Sequence, residues 1–282
     1  MLLPPGRRVE LPGRGTTFIR EVAGPPNAPA VVLLHGWMAT ADLNWCTSYG
    51  ALGARFRVVA IDHRGHGQGI RARRFRLEDC ADDVAALLDV LGIDSAIVAG
   101  YSMGGPIAQL TWYRHRSRVR ALALCATSRT FGGSANERAY FQAMVGSAAT
   151  LLSFAPQGLR HRLLGQFLDR RPQTGAVPGW MSDQLRESDP ALLAQAGRAL
   201  GAFDSREWIG SVDVPTAVLI TTRDTLVPPA RQWRLAKSIP GTIVHEVDGD
   251  HRVCVADPDK FVPVLDRACA DLARRSGHSM QP

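Results

Sequence analysis

No stretch of this sequence comes near the roughly 20 consecutive apolar residues needed to cross a bilayer, so stable membrane insertion is not expected. The opening Met-Leu-Leu-Pro-Pro-Gly-Arg-Arg has no basic start followed by an uninterrupted apolar stretch, the pattern of a secretory signal, and a cytoplasmic location is therefore the expectation. Cysteine is scarce: Cys46, Cys80, Cys125, Cys254 and Cys269 are scattered, odd in number and without the paired spacing of a zinc site, so buried free thiols are expected. Lysine is confined to Lys237 and Lys260, which leaves the net charge of +7 to arginine, clustered at 71–76 and 114–120. Such a charge attracts anionic partners. No nucleic-acid-binding motif accompanies it, however, and a solvated basic surface without a nucleic-acid partner is the reading. Internal repeats and low-complexity tracts are also missing.

What remains is a chain of 282 residues, 45% hydrophobic, long enough to bury a large core within one domain spanning 1–282. Short apolar runs at 30–34, 58–61, 96–100, 121–125, 216–221 and 243–247 read as strands covered on both faces. Amphipathic stretches lie between them. Residues 79–91 carry Val84, Leu87, Leu88 and Leu91 at helical spacing, with Gly92 as a C-terminal cap; 106–113 reads as a second helix. A last helix falls within 260–275, its regular part beginning near Pro263 because proline suits only a first turn. This alternation predicts an α/β fold with a mostly parallel central sheet flanked by helices. From 129 to 206 the rhythm stops, and an apolar, proline-punctuated segment reads as an inserted helical cap.

Gly100-Tyr101-Ser102-Met103-Gly104 fits G-x-S-x-G and stands between an apolar strand and a helix, the context this motif requires. A sharp strand-to-helix turn projects the serine hydroxyl, and flanking glycines avoid collisions between crowded segments. A serine hydroxyl is a poor nucleophile until a neighbour takes its proton. Of eight histidines, His251 fits that task best, in the turn Asp248-Gly249-Asp250-His251 just beyond a strand end. Asp224 follows the preceding strand in Thr221-Thr222-Arg223-Asp224 and is the expected acid that orients His251. Asp248 and Asp250 are its rivals, both so near His251 in sequence that they fit better as turn formers. His35, His63 and His66 fall in loops at the same sheet edge, but the ligand patterns of a metal site are missing and no metal is expected.

With these residues the chain resembles the α/β-hydrolase family, in its serine-nucleophile branch. His35-Gly36-Trp37 is similar to that family's oxyanion loop, Asp62-His63-Arg64-Gly65-His66-Gly67 resembles its D-x-R-G-x-G turn, and the order serine, acid, histidine is the family's. The resemblance extends from about Thr17 to Leu272 outside the cap. It implies that the backbone amides of Trp37 and Met103 form the oxyanion hole. Where some members place the acid one strand earlier, this chain reads Cys125-Ala126-Thr127-Ser128 and offers no carboxylate. Serine at 102, rather than aspartate, also argues against dehalogenase or epoxide hydrolase chemistry.

The pocket is expected to be walled by Tyr101 together with Trp37 and Met103, and roofed from the cap by Phe141 and Met144. The resulting expectation is a cofactor-independent, carboxylesterase-like hydrolase acting on a small to medium lipophilic ester through an acyl-enzyme on Ser102. A carbon-carbon hydrolase, lactonase or perhydrolase on the same triad is the alternative. A non-catalytic, small-ligand-binding protein of the same fold is the alternative of another class. Homo-oligomerisation stays open.

Overall fold

The structure, a computed structural model, describes residues 3–132 and 179–277 together with positions 156, 158, 159 and 162. Among the described residues the chain runs β1 (Gly6–Leu11), β2 (Gly15–Val22), β3 (Ala30–Leu34), α1 (Ala41–Trp45), α2 (Tyr49–Gly53), β4 (Arg57–Ile61), α3 (Leu77–Val90), β5 (Ala96–Tyr101), α4 (Gly104–Arg114) and β6 (Val119–Cys125). It continues through α5 (Gly179–Arg186), α6 (Pro190–Ala202), β7 (Thr216–Thr221), α7 (Pro229–Ala236), β8 (Ile243–Val247), α8 (Val253–Ala256) and α9 (Pro258–Arg275). The strands form one eight-stranded sheet in the order β1-β2-β4-β3-β5-β6-β7-β8. β1 and β2 are antiparallel to their neighbours, and the remaining pairs are parallel.

The central strands are apolar throughout because both faces are covered. Val32 and Leu34 point into a layer built by α3, α4 and α6; Val31 and Leu33 point into the opposite layer, against Trp45, Leu52 and Phe261 of α1, α2 and α9. Connections from β3 run first to β4 on one side and later to β5 on the other. The carboxyl ends of β3 and β5 therefore flank a reversal of strand order, where open α/β sheets leave a crevice for ligands.

Three sequence expectations are corrected. Thr216–Thr221 is buried on both faces, but β8 is an edge strand, half-exposed over Ile243, Val244 and His245. The hairpin β1–β2 escaped the apolar-run criterion because its buried residues alternate (Val9, Leu11; Thr17, Ile19), as expected of strands with one wet face. The last helix starts at Pro258, not near Pro263, which lies inside it. Proline at 263 removes only its own N–H from the ladder, and the apolar face of Phe261, Leu265, Ala268, Cys269 and Leu272 keeps the helix docked across the gap.

At the two ends of the segment expected as a cap, an antiparallel bridge joins Thr130 to Asp204 and the Ser205 amide donates to the Arg129 carbonyl at 2.9 Å. Within it, α6 begins where Asp189 Oδ1 accepts from the amides of Ala191 and Leu192, with Pro190 in the first turn. Phe141 and Met144 lie outside the described residues. All five cysteines are buried and free. Many basic-cluster arginines are paired: Arg114 with Asp82 at 2.8 Å and Arg118 with Asp89 at 2.7 Å. No described helix is long and apolar enough to cross a membrane.

Candidate active site

Strand β5 delivers Ser102 into the crevice. Its backbone is left-handed, φ +51°, a conformation that costs a non-glycine residue on the order of 1–3 kcal/mol. The turn is held from both sides: the Ser102 amide donates to the Cys125 carbonyl at 2.9 Å, while its carbonyl accepts from Thr127 Oγ1 at 2.7 Å and the Gly105 amide at 2.9 Å. Glycine at 100 and 104 is a steric requirement. A Cβ on Gly104 would stand 2.1 Å from the Leu34 carbonyl oxygen, and one on Gly100 2.2 Å from that of Gly104. Only bare backbone lets α4 start this close to β3 and β5.

Asp224 and His251 come from the loops after β7 and β8. His251 Nδ1 lies 2.6 Å from Asp224 Oδ2, and His251 Nε2 lies 3.0 Å from Ser102 Oγ. The three side chains, 149 residues apart at the extremes, form one hydrogen-bonded line. The carboxylate sets the tautomer: Nδ1–H donates to Asp224, which leaves the Nε2 lone pair free to accept the serine proton. Asp248 and Asp250 take no part. Asp248 pairs with Arg223 at 2.9 Å, and Asp250 with Arg252 at 2.9 Å.

Asp224 is itself fixed at both oxygens. Oδ1 accepts from the amides of Leu226 and Val227 at 2.8 and 2.9 Å; Oδ2 accepts from Thr221 Oγ1 at 2.8 Å as well as from His251. Behind it, Gln232 of α7 donates from Nε2 to Thr221 Oγ1 and the Val227 carbonyl, and accepts at Oε1 from the Thr221 amide at 3.0 Å. Sequence reasoning missed Gln232, and nothing local marks it, since its partners lie up to 11 positions away across a strand end.

The Gly36–Trp37 loop is placed as deliberately. Asn44 of α1 accepts from the Gly36 amide at 2.6 Å, and Trp37 Nε1 donates to the Leu193 carbonyl at 2.7 Å. His35 beneath it is fully buried, donating from Nδ1 to the Gly36 carbonyl at 2.8 Å and accepting at Nε2 from the His63 amide at 3.0 Å. Burial pushes the pKa of His35 well down, that of His63 to about 3 and that of His66 to about 4, so all three are neutral at pH 7. The turn that carries His63 and His66 is braced by Asp62, whose oxygens accept from the Ala41 and Gln68 amides at 2.8 and 2.9 Å. Arg64 pairs with Asp83 at 2.5 Å.

Ser102 and His251 open onto a cavity of about 650 Å³ whose wall includes Trp37, Tyr101, Phe131, Leu200, Leu226 and Val255. Tyr101 lines it, its hydroxyl donating to the His251 carbonyl at 2.9 Å and thereby holding the histidine loop. Met103 does not: its side chain packs in the core under α4, and only its position at the helix start faces the site. Among the described residues, no group of histidine, cysteine and carboxylate side chains is arranged to hold a metal.

With that geometry in place, comparison with known proteins is decisive for the family. The profile of the alpha/beta hydrolase fold matches residues 29–258. The chain belongs to this family. Among its relatives, the 3-oxoadipate enol-lactonase 1 of Acinetobacter baylyi is 25% identical over 252 residues, covering 89% of this chain and 92% of that protein. A pimeloyl-[acyl-carrier protein] methyl ester esterase of Chromobacterium violaceum is 30% identical over 244 residues, 84% of this chain and 92% of its own length. In structure, the enol-lactonase of Burkholderia xenovorans superposes with a TM-score of 0.74 at 25% identity, over 94% of this chain and all of that one. This α/β-hydrolase thus shares fold and length with proteins named for breaking ester and lactone bonds.

Proposed function

We propose that the protein is a serine hydrolase that cleaves a small to medium lipophilic ester, and that Ser102, His251 and Asp224 are its triad. The observation that carries this reading is the continuous line from Asp224 Oδ2 through His251 to Ser102 Oγ, 2.6 and 3.0 Å, ending in a largely apolar cavity. His251 Nε2 takes the hydroxyl proton as Oγ attacks the carbonyl carbon; the oxyanion is met by the amides of Trp37 and Met103. Collapse breaks the ester C–O bond, and the imidazolium returns its proton to the departing alcohol. Water, deprotonated by the same nitrogen, then releases the acid from Ser102.

The names of the relatives support an ester linkage as the bond, and a lactone, being a cyclic ester, passes through the same steps. Carbon-carbon cleavage and perhydrolysis on this triad are narrower readings that no particular feature of the site favours. The test is fluorophosphonate labelling with peptide mapping, beside turnover of short and medium nitrophenyl esters. We expect the label on Ser102 alone and no turnover by Ser102→Ala. A label elsewhere, or esterase activity that survives the substitution, overturns the proposal. Binding of such esters without serine-dependent product indicates a ligand-holding protein instead.

A further inference from the structure

The cavity in front of Ser102 is apolar over most of its wall, yet among the described residues that line it there are arginines and no carboxylate. Asp224, beside it, is turned towards His251 and the amides of Leu226 and Val227. Two guanidinium groups reach the cavity, from Arg231 in the first turn of α7 and from Arg252 beside His251. They differ in their partners. Arg252 is engaged by the Asp250 carboxylate at 2.9 Å, which offsets its charge. Arg231 donates from Nη1 to the Phe131 carbonyl at 2.8 Å, and among the described residues no carboxylate stands against it. A carbonyl fixes the group in place without neutralising it. Arg231 is half-buried, and Phe131, its anchor, is itself part of the cavity wall.

A guanidinium held beside apolar surface presents a flat pair of N–H donors whose geometry matches a carboxylate. A low-dielectric wall also focuses its field into the cavity. One uncompensated positive charge suits one negative charge; a phosphate dianion would call for more than one such cation.

We infer that Arg231 is a specificity-determining residue, and that the preferred ester carries a carboxylate on its acyl chain, remote from the scissile carbonyl, which pairs with this guanidinium. The inference rests on the serine-hydrolase reading and narrows it from lipophilic esters in general to half-esters of dicarboxylic acids. The apolar side chains of the same cavity, Phe131, Leu200, Leu226 and Val227 among them, receive the methylene chain, while Ser102 and Arg231 meet the two polar ends of the substrate.

A matched pair of substrates tests it: 4-nitrophenyl hexanoate and 4-nitrophenyl hydrogen adipate, equal in length and differing only in a terminal methyl or carboxylate. We expect kcat/KM to favour the adipate by about tenfold or more, the gain of one charge-assisted pair. That ratio should shrink as salt is raised. Arg231→Gln should collapse it towards unity through KM of the adipate, and Arg231→Lys should retain part of it. Wild-type protein that hydrolyses both esters equally, or prefers the hexanoate, overturns the inference while leaving the serine-hydrolase reading intact. An adipate preference that survives Arg231→Gln assigns the selectivity to another cation and overturns it equally. Failure to turn over either ester, with no label on Ser102, counts against the broader reading instead. An equal or inverted wild-type ratio overturns the inference without any variant, and hexanoate turnover at the wild-type order in Arg231→Gln and Arg231→Lys shows that those variants fold.

Discussion

Two groups of histidines lie at the same end of the sheet and have opposite fates. His251 is held between a carboxylate at 2.6 Å and a hydroxyl at 3.0 Å, at the edge of a cavity. His35, His63 and His66 are buried behind the Gly36–Trp37 loop, the rings of His63 and His66 lying 4.3 and 5.2 Å from that of His35, and the hydrogen bonds they make go to backbone groups. Both nitrogens of His63, and Nε2 of His66, have no partner among the described residues. In the sequence the two settings look alike, each a histidine beside aspartate and glycine in a turn after a strand. What separates them is the partner. An imidazole works as a base where one nitrogen is anchored by an acid and the other faces a proton donor; without an acid and without water it is a neutral ring that resists protonation.

The sharpest way to break this comparison is to exchange the fates. On the proposed mechanism His251→Ala removes the base that stands 3.0 Å from Ser102 Oγ, and kcat should fall by on the order of 10⁴-fold or more. His63→Leu should leave turnover at the wild-type order, since the side chain it removes makes no hydrogen bond among the described residues. Equal losses from both substitutions would mean that the buried histidines take part in the chemistry. Steady-state kinetics on a nitrophenyl ester measures both.

Next in size is Asp224→Asn, which tests the anchor rather than the base. Two amides, from Leu226 and Val227, hold Oδ1, so the asparagine oxygen is forced into that position. Its NH₂ then falls where Oδ2 was, facing His251 Nδ1 and Thr221 Oγ1. It donates to Nδ1, the ring proton moves to Nε2, and the nitrogen that should accept from Ser102 is blocked. A loss of on the order of 10³-fold or more in kcat is expected with the fold intact. A loss below tenfold would show that the carboxylate does not set the tautomer.

The histidine cluster carries its own signature in stability. Its folded pKa values lie below the ordinary histidine value of 6.5, near 3 for His63 and near 4 for His66. Below about pH 6.5 the unfolded chain therefore takes up protons that the folded one refuses, and stability falls as pH falls. Asp62 works in the other direction, because burial raises it to about 7 and the folded state holds its proton down to the ordinary carboxylate range. Three histidines outweigh one carboxyl group, and the unfolding free energy, measured by denaturant titration, should drop by about 1–3 kcal/mol for each pH unit below about 6. In His63→Leu the slope should flatten. A slope unchanged by that substitution would place the acid sensitivity elsewhere.

How much of this was legible beforehand follows from which forces act locally. Strands β3 to β7 could be read because burial on both faces imposes an apolar run on consecutive residues, and the edge strand β8 because Ile243, Val244 and Val247 keep it largely apolar, whereas β1 and β2 could not, since their pattern alternates and carries Arg7, Arg8 and Arg20. Ser102, Asp224 and His251 stand out because tight turns need glycine, proline or aspartate nearby. Gln232, Asn44 and Thr127 do not, because each acts on a partner brought close only by the fold, as Asn44 does on Gly36. Burial of His63 and His66 was equally hidden: polar residues in a polar turn give no hint that the rings of His35 and Phe75 will pack against them.

The smallest effect asked of the comparison concerns what stands behind the acid. Gln232→Leu keeps the volume of the side chain but removes four contacts at once, those to Thr221 Oγ1, the Thr221 amide, the Val227 carbonyl and, at 3.4 Å, Asp224 Oδ2 itself. The Thr221 amide and the Val227 carbonyl are then left buried without partners, at a cost of about 1–3 kcal/mol each in stability. Thr221 Oγ1, no longer aimed by Gln232, can rotate away from Asp224 Oδ2, and the carboxylate keeps His251 with up to two donors fewer. A fall in kcat of about tenfold with KM unmoved is expected, together with a shift in the lower limb of the pH–rate profile, because the charge balance at His251 changes. A variant that loses stability but keeps both kcat and that limb would show Gln232 to be structural alone, and the anchoring of His251 to depend on Asp224 and its two amides without further support.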